Sequence, residues 1–230
     1  MVACVIVAAG QGVRMRSEQR KQYMDLGGRP VLARTVDVFD ACSIINDIYL
    51  VIPKGDHDFC EQSIVPPRDS CKRVVLVSGG CTRQESVYNG LTALDESTEL
   101  VVIHDGVRPF VTEDDISATV RGAGAHGACV LAVPSQDTLK EVGTDRRILT
   151  TLSRQTVWFA QTPQAFRYRC ILEAHERARA DGFEATDDAC LVERLGKTVR
   201  VVQGTKHNIK ITTNQDMDLA RALLSIVGNA

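Results

Sequence analysis

Val2-Ala-Cys-Val-Ile-Val-Ala-Ala9 runs straight into Gly10-Gln-Gly12-Val-Arg14-Met15, and this junction decides the fold. The first eight residues have the length and β-branched content of a strand buried on both faces of a parallel sheet. A strand that opens into a glycine-rich turn aims several backbone N–H groups at one small volume, a cradle that holds phosphate without side-chain charge. Two glycines let the backbone approach a ligand closely. The cations set this turn apart: Arg14, Arg16, Arg20 and Lys21 fall within eight positions, followed by Gln22 and Tyr23. That density of positive charge points to chemistry at phosphorus rather than docking alone. A dinucleotide fingerprint would need a third glycine where Met15 stands, and its acidic residue would fall near Asp37 or Asp40, inside a helical pattern. A Walker loop would need Gly-Lys-Ser/Thr at its end, which this turn lacks.

Working outward, strand-like runs appear at 2–9, 47–53, 72–78, 99–104, 128–134 and 198–203. Helical patterns lie between them near 31–42, 82–95, 113–125, 166–180, 186–195 and 214–227. The last carries Met217, Leu219, Ala220, Leu223 and Ile226 along one stripe. Alternation of this kind predicts an α/β fold, a Rossmann-like, mostly parallel sheet with helices on both faces. Residues 1–230 read as a single domain, and 44% hydrophobic content supports one well-buried core. The segment 134–160 breaks the rhythm with turns at Pro134-Ser-Gln-Asp137 and Gly143-Thr-Asp145, and reads as a protruding β-hairpin arm over about 134–158. Trp158 and Phe159 read as packing for the base of that arm.

A net charge of −2 argues against a nucleic-acid or membrane-surface protein. No apolar run approaches the length needed to span a bilayer, and the N-terminal stretch is too short and lacks the basic flank of a signal peptide. The eight cysteines include no Cys-x-x-Cys pair, and in a composition of cytoplasmic type they read as small buried hydrophobes. The five histidines show no metal-ligand spacing.

In an open α/β sheet, ligands sit beyond the carboxyl ends of the strands. Gly79 and Gly80 end the third run, before Thr82-Arg-Gln-Glu85-Ser86. Thr82 and Glu85 have capping-box spacing, while the glycines and Ser86 can face a nucleotide. The fourth run ends in His104-Asp-Gly-Val-Arg-Pro109. Asp105 there either faces a magnesium ion bridged through water and phosphate oxygens or caps the turn. His104 reads as a satisfied turn histidine.

Taken in order, Ala8-Ala-Gly-Gln-Gly-Val-Arg-Met15 with Lys21-Gln-Tyr23, Gly79-Gly80 before Thr82-Arg-Gln-Glu-Ser86, His104-Asp-Gly-Val-Arg-Pro109, Gln161-Thr-Pro-Gln-Ala-Phe166, Thr186-Asp-Asp-Ala189 and Asn208-Ile-Lys-Ile-Thr212 resemble the 2-C-methyl-D-erythritol 4-phosphate cytidylyltransferases. The resemblance spans about residues 3–226. One departure is Arg20, where the family commonly has a proline that would stiffen the loop. The ribitol 5-phosphate cytidylyltransferases share many of these motifs and stay open as an alternative, as does a non-catalytic nucleotide-binding module.

The resemblance implies transfer of a cytidylyl group from CTP to a sugar-alcohol phosphate, with Mg2+ as cofactor and release of pyrophosphate. By resemblance, Arg14 and Lys21 stabilise the transition state, and Lys210 and Arg154 hold the attacking phosphate. Ala8, Ala9, Gly10, Gly79, Gly80 and Ser86 map to the nucleotide. Asp105, Gly106, Arg108, Thr138 and Thr162 map to the sugar phosphate. Lys206 and Arg16 keep the reading of solvated surface residues, and Asp187 and Asp188 that of partners for a helix dipole. The arm, with apolar Leu139, Ile148, Leu149 and Leu152, predicts a homodimer, and the resemblance implies that Arg154 sits in the neighbouring active site.

Overall fold

The computed structural model describes residues 1–10, 20–65 and 72–227. The part of the glycine turn that contains Gly12, Arg14, Met15 and Arg16 lies outside the described residues.

Strand β1 (Val2–Val7) is central and leads to a short ribbon of β2 (Asp25–Leu26) and β3 (Arg29–Pro30), then α1 (Val31–Ala41), β4 (Asp47–Ile52), α2 (His57–Ser63) and β5 (Arg73–Ser78). The chain continues through α3 (Arg83–Thr92), β6 (Leu100–Asp105), α4 (Glu113–His126) and β7 (Ala128–Pro134). The arm is β8 (Leu139–Val142) and β9 (Ile148–Leu152). After it come β10 (Trp158–Arg167), α5 (Tyr168–Ala180), α6 (Asp188–Arg194), β11 (Arg200–Gln203) and α7 (Asn214–Val227).

Seven strands form one sheet in the order β11-β7-β10-β6-β1-β4-β5. Pairing is parallel except on either side of β10, which runs antiparallel to both β6 and β7. Side chains alternate across the strands as a pleated backbone requires. Cys4, Ile6, Ile48, Leu50 and Val102 face one core, built with α1 and α4. Ala3, Val5, Val51, Val101 and Ile103 face the other, built with α3, α5 and α6. Both faces of β1 are thus covered, which is why its sequence is continuously apolar.

Three expectations need correction. The run at 166–167 is strand, because β10 extends to Arg167 and α5 starts at Tyr168. Pro163 within this stretch argues against a central strand by the usual rule, yet β10 accommodates it where the register with β7 shifts between Ala160 and Gln164. The first strand ends at Val7, leaving Ala8 and Ala9 beyond the sheet. On α7, Met217, Ala220 and Leu223 are buried against Leu26, Val107 and Ile211, whereas Leu219 and Ile226 point outward.

The arm is a separate two-stranded sheet in which Leu139 pairs with Leu152. Val142, Ile148, Leu149 and Leu152 are exposed on it, as is Phe159 at its base.

Candidate active site

The strand order reverses at β1, whose neighbours are β4 on one side and β6 on the other. A crevice at the carboxyl ends of these strands is the expected ligand position. A cavity of about 330 Å³ lies there, lined by Ala8, Ala9, Gly10, Lys21, Gly80, Ser86, Asp105 and Lys210 among others. Backbone contacts shape its floor. Ala8 N donates to Val51 O (2.7 Å) and Gly79 N to Ile52 O (2.8 Å), so both loops leave the sheet in fixed directions. They also approach so closely that a Cβ on Gly79 would collide with that of Ala9.

Lys21 opens a 3-10 turn, Lys21–Tyr23, that is pinned on both sides. Buried Gln22 donates through Nε2 to Ala8 O (2.8 Å) and Gly10 O (3.2 Å). Tyr23 donates its hydroxyl to Asp56 Oδ2 (2.8 Å), and Arg20 pairs with the same oxygen at 3.5 Å. Arg20 has φ −63° and ψ 135°, a backbone that proline could adopt, so a side-chain anchor occupies the place of a ring constraint.

On the opposite wall, Thr82 caps α3 by accepting from Glu85 N (3.0 Å), while Glu85 Oε2 accepts from Cys81 N (2.7 Å). The capping box is therefore shifted by one residue on its return half. Ser86, buried, donates to Thr82 O (2.8 Å) and accepts from Gly80 N (3.1 Å).

Asp105, the last residue of β6, is the electrostatic centre. Its Oδ1 lies 3.2 Å from Arg83 Nε, and its Oδ2 lies 2.8 Å from Lys210 Nζ and 3.6 Å from Arg108 Nε. Burial alone would raise its pKa, but Arg83, Lys210 and Arg108 together hold it well below the usual carboxylate range. A second cavity of about 240 Å³ adjoins the first and is lined by Arg108, Gln161, Thr162, Thr186 and Asp187 among others. Arg83, Asp105 and Lys210 line both cavities. Thr162 Oγ1 accepts from Asp105 N (3.1 Å). Buried Asn208 donates to Thr162 O (2.8 Å), and its own carbonyl accepts from Arg108 Nη1 (2.7 Å), which places the strand-end loop carrying Lys210.

The structure thus brings Ala8, Ala9, Gly10, Lys21, Gly80, Ser86, Asp105, Arg108, Thr162 and Lys210 to two adjoining cavities, with Gly79 and Gly106 packed behind them. It does not bring Arg154 or Thr138 there. Both are exposed near the arm, and Arg154 Nη1 donates to Gln136 O at 3.0 Å. Lys206 bonds the Gln136 side chain. His104 is fully buried against Phe39, its Nε2 faces Arg108 O (3.2 Å), and burial pushes its pKa down to about 3.

Sequence reasoning missed Arg83. It stood inside a motif already singled out, and one signal was available: a cation in the first turn of a helix opposes the dipole. Its partner Asp188 was missed as well. Asp187 does cap α6, accepting from Cys190 N (3.0 Å), but Asp188 turns inward to Arg83 Nη1 (2.8 Å) and to His175 Nε2 (3.1 Å). No group of three or more His, Cys, Asp or Glu suited to a metal ion occurs among the described residues.

Comparison with known proteins places the chain in a family. The family model for 2-C-methyl-D-erythritol 4-phosphate cytidylyltransferase matches residues 2–226. The chain belongs to that family. The proteins of that name from Pelotomaculum thermopropionicum and Syntrophus aciditrophicus are 46% and 48% identical to it over 97% of its length, covering 94% and 95% of their own. Among solved structures, 4-diphosphocytidyl-2C-methyl-D-erythritol synthase from Anaerococcus prevotii superposes with a TM-score of 0.88 at 38% identity, over 97% of this chain and 96% of that one. The cytidylyltransferase from Thermus thermophilus gives 0.78 at 33% identity, over 96% and 98%. As a family member the chain is a nucleotidyltransferase that uses CTP.

Proposed function

We propose that the larger cavity holds CTP and the smaller one 2-C-methyl-D-erythritol 4-phosphate, and that the 4-phosphate attacks the α-phosphorus of CTP across the wall they share, expelling pyrophosphate. The observation that carries this reading is that Lys210, Asp105 and Arg83 line both cavities, so one cationic wall serves nucleophile and electrophile. A phosphate monoester has its second pKa near 6, so at neutral pH the nucleophile is already largely deprotonated and needs no general base. What the reaction needs is positioning of two polyanions and fixed positive charge where charge builds. Lys21, held by the anchors of Gln22 and Tyr23, supplies that charge at the nucleotide side. Arg14 is proposed to join it and lies outside the described residues. Lys210 and Arg108 receive the attacking phosphate, and Thr162 and Asp105 the sugar hydroxyls.

The described residues do not fit a protein-held magnesium. Asp105 is a single carboxylate with both oxygens taken by cations, whereas magnesium wants several oxygen ligands. We therefore assign the metal to the co-substrate, carried by the triphosphate oxygens, and derive no step through it.

The arm supports a homodimer, since its apolar residues are exposed and Arg154 lies away from both cavities of its own chain. In that assembly Arg154 would complete the neighbour's acceptor cavity. The described cysteines are all free thiols, which suits the reducing cytoplasm. The test is pyrophosphate release measured with CTP and each of two acceptors. Turnover with methylerythritol phosphate and little with ribitol phosphate is expected, and the opposite preference would overturn the assignment.

A further inference from the structure

Arg83 stands in an unfavourable place, the first turn of α3, and lines both cavities. What holds it there is a pair of carboxylates. Nε reaches Asp105 Oδ1 at 3.2 Å and Nη1 reaches Asp188 Oδ2 at 2.8 Å, a span that suits a planar guanidinium and no ammonium. Asp188 has 1% exposure, and its other oxygen lies 3.1 Å from the Nε2 of fully buried His175. Arg83 is thus fixed from behind by α5 and α6.

The two oxygens of Asp105 are divided. Oδ1 belongs to Arg83. Oδ2 belongs to the cations of the acceptor cavity, Lys210 at 2.8 Å and Arg108 at 3.6 Å. The Lys210 side chain retains 39% exposure and, among the described residues, has no second carboxylate partner of the Asp188 kind. For Lys210 to meet a substrate phosphate it must loosen its hold on Asp105. A buried carboxylate that loses its partner is strongly disfavoured, so this exchange needs a counter-ion that stays behind.

We propose that Arg83 is that counter-ion, a positioning residue that stays on Asp105 and frees Lys210 for the acceptor phosphate. The proposal rests on the functional reading above, which places the acceptor in the smaller cavity. Without Arg83, Asp105 would draw Lys210 and Arg108 to itself and withhold them from substrate. The loss would fall on acceptor binding and spare the nucleotide.

The experiment compares Arg83→Gln, Asp105→Asn and the double variant in steady-state kinetics. Arg83→Gln is expected to raise the KM for the acceptor about tenfold or more, from the loss of one charged hydrogen-bond partner, with the KM for CTP changed far less. In the Asp105→Asn background the same substitution should add little, because no carboxylate is left to capture Lys210. Arg83→Lys should fall between wild type and Arg83→Gln. An equal factor in both backgrounds, or equal rises in both KM values, would overturn the proposal. The first would mean that Arg83 touches substrate itself, the second that it only supports the fold. If Arg83→Gln does not unfold cooperatively, Asp188→Asn, which releases the rear anchor, is read in the same two backgrounds by the same criteria.

A readout without turnover separates this proposal from the functional reading. Acylation of Lys210 by an amine-reactive probe, followed by mass spectrometry, should slow in Arg83→Gln and quicken in Asp105→Asn. Wild-type protein that turns over neither acceptor would defeat the functional reading, while the labelling rates would still decide the role of Arg83. Unchanged Lys210 labelling in both variants would sink it.

Discussion

Replacing Ser86 with alanine tests whether the nucleotide wall is built from within or by the ligand. The Ser86 hydroxyl, 2% exposed as a residue, makes two hydrogen bonds, to Thr82 O and from Gly80 N. Each is worth about 0.5–1.5 kcal/mol net. Thr82 O keeps a second partner in Ser86 N (3.0 Å), and Gly80 N borders the cavity, where solvent can reach it. Neither group is left stranded, so the cost belongs in the lower half of the range, about 1–2 kcal/mol in all. For a chain of this size that corresponds to a fall in Tm of roughly 2–8 °C. The Gly79–Gly80 turn would also lose its tether, so the KM for CTP should rise together with the loss of stability. The assays are a thermal melt without ligand and pyrophosphate release at varied CTP. An unchanged Tm with a large rise in the KM for CTP would refute the reasoning, because the hydroxyl would then be serving the nucleotide rather than the turn.

Lys21→Ala should lower kcat by roughly 10²–10³ with a much smaller change in the KM for CTP, as expected for charge used in the transition state; a change confined to KM would restrict Lys21 to ground-state binding. Asp105→Asn should leave the magnesium concentration for half-maximal rate within about twofold of wild type if the metal is held by phosphate oxygens, and a large increase would put Asp105 among the ligands. Mixing Arg154→Ala and Lys21→Ala proteins under proven subunit exchange should restore activity in mixed dimers, whereas continued inactivity would confine Arg154 to its own chain or to no role. His104, with its pKa pushed down to about 3 by burial, refuses a proton that the unfolded chain accepts below about pH 6.5. Stability should therefore fall as pH drops from 6.5 toward 3, by up to about 1.4 kcal/mol per pH unit from this group. Urea midpoints for His104→Gln should show a flatter slope between pH 6.5 and 4 than wild type, and parallel slopes would show that the ring does not drive the acid limb.

The parallel half of the sheet was legible because burial on both faces writes itself into sequence as unbroken apolar runs, as in β1, β4 and β6. β10 was not, because its middle holds Gln161, Thr162, Pro163 and Gln164, which break the pattern of a strand, and all but Pro163 line the smaller cavity. Gly10, Gly80 and Asp105 could be found because they lie at or just beyond strand ends, and Lys21 because it stands in the cation-rich stretch that follows the glycine turn. The pairing of Arg83 with Asp188 could not, since it is a contact between residues more than a hundred positions apart; local spacing records only their helix positions and, for Arg83, a cation set against the helix dipole. Arg154 was placed near the chemistry by resemblance alone, and within one chain it has no such place.

β7 and β10 are adjacent, antiparallel and consecutive in the main sheet, with Pro134 opposite Trp158. Strands so related can be joined by a turn of two residues. The chain instead makes the detour 135–157, which returns to its starting rung with Ser135 N bonded to Val157 O (3.0 Å). Because that rung closes the detour, its length and sequence can drift without disturbing the register of the catalytic sheet. Excision is correspondingly simple to design: a short type I′ linker between Pro134 and Trp158 would leave both cavities intact within the subunit and remove every residue through which the arm could reach another. Such a trimmed chain separates what one subunit can do alone from what it can do only in company, and offers a scaffold onto which a different arm, with a different choice of neighbour, could be built.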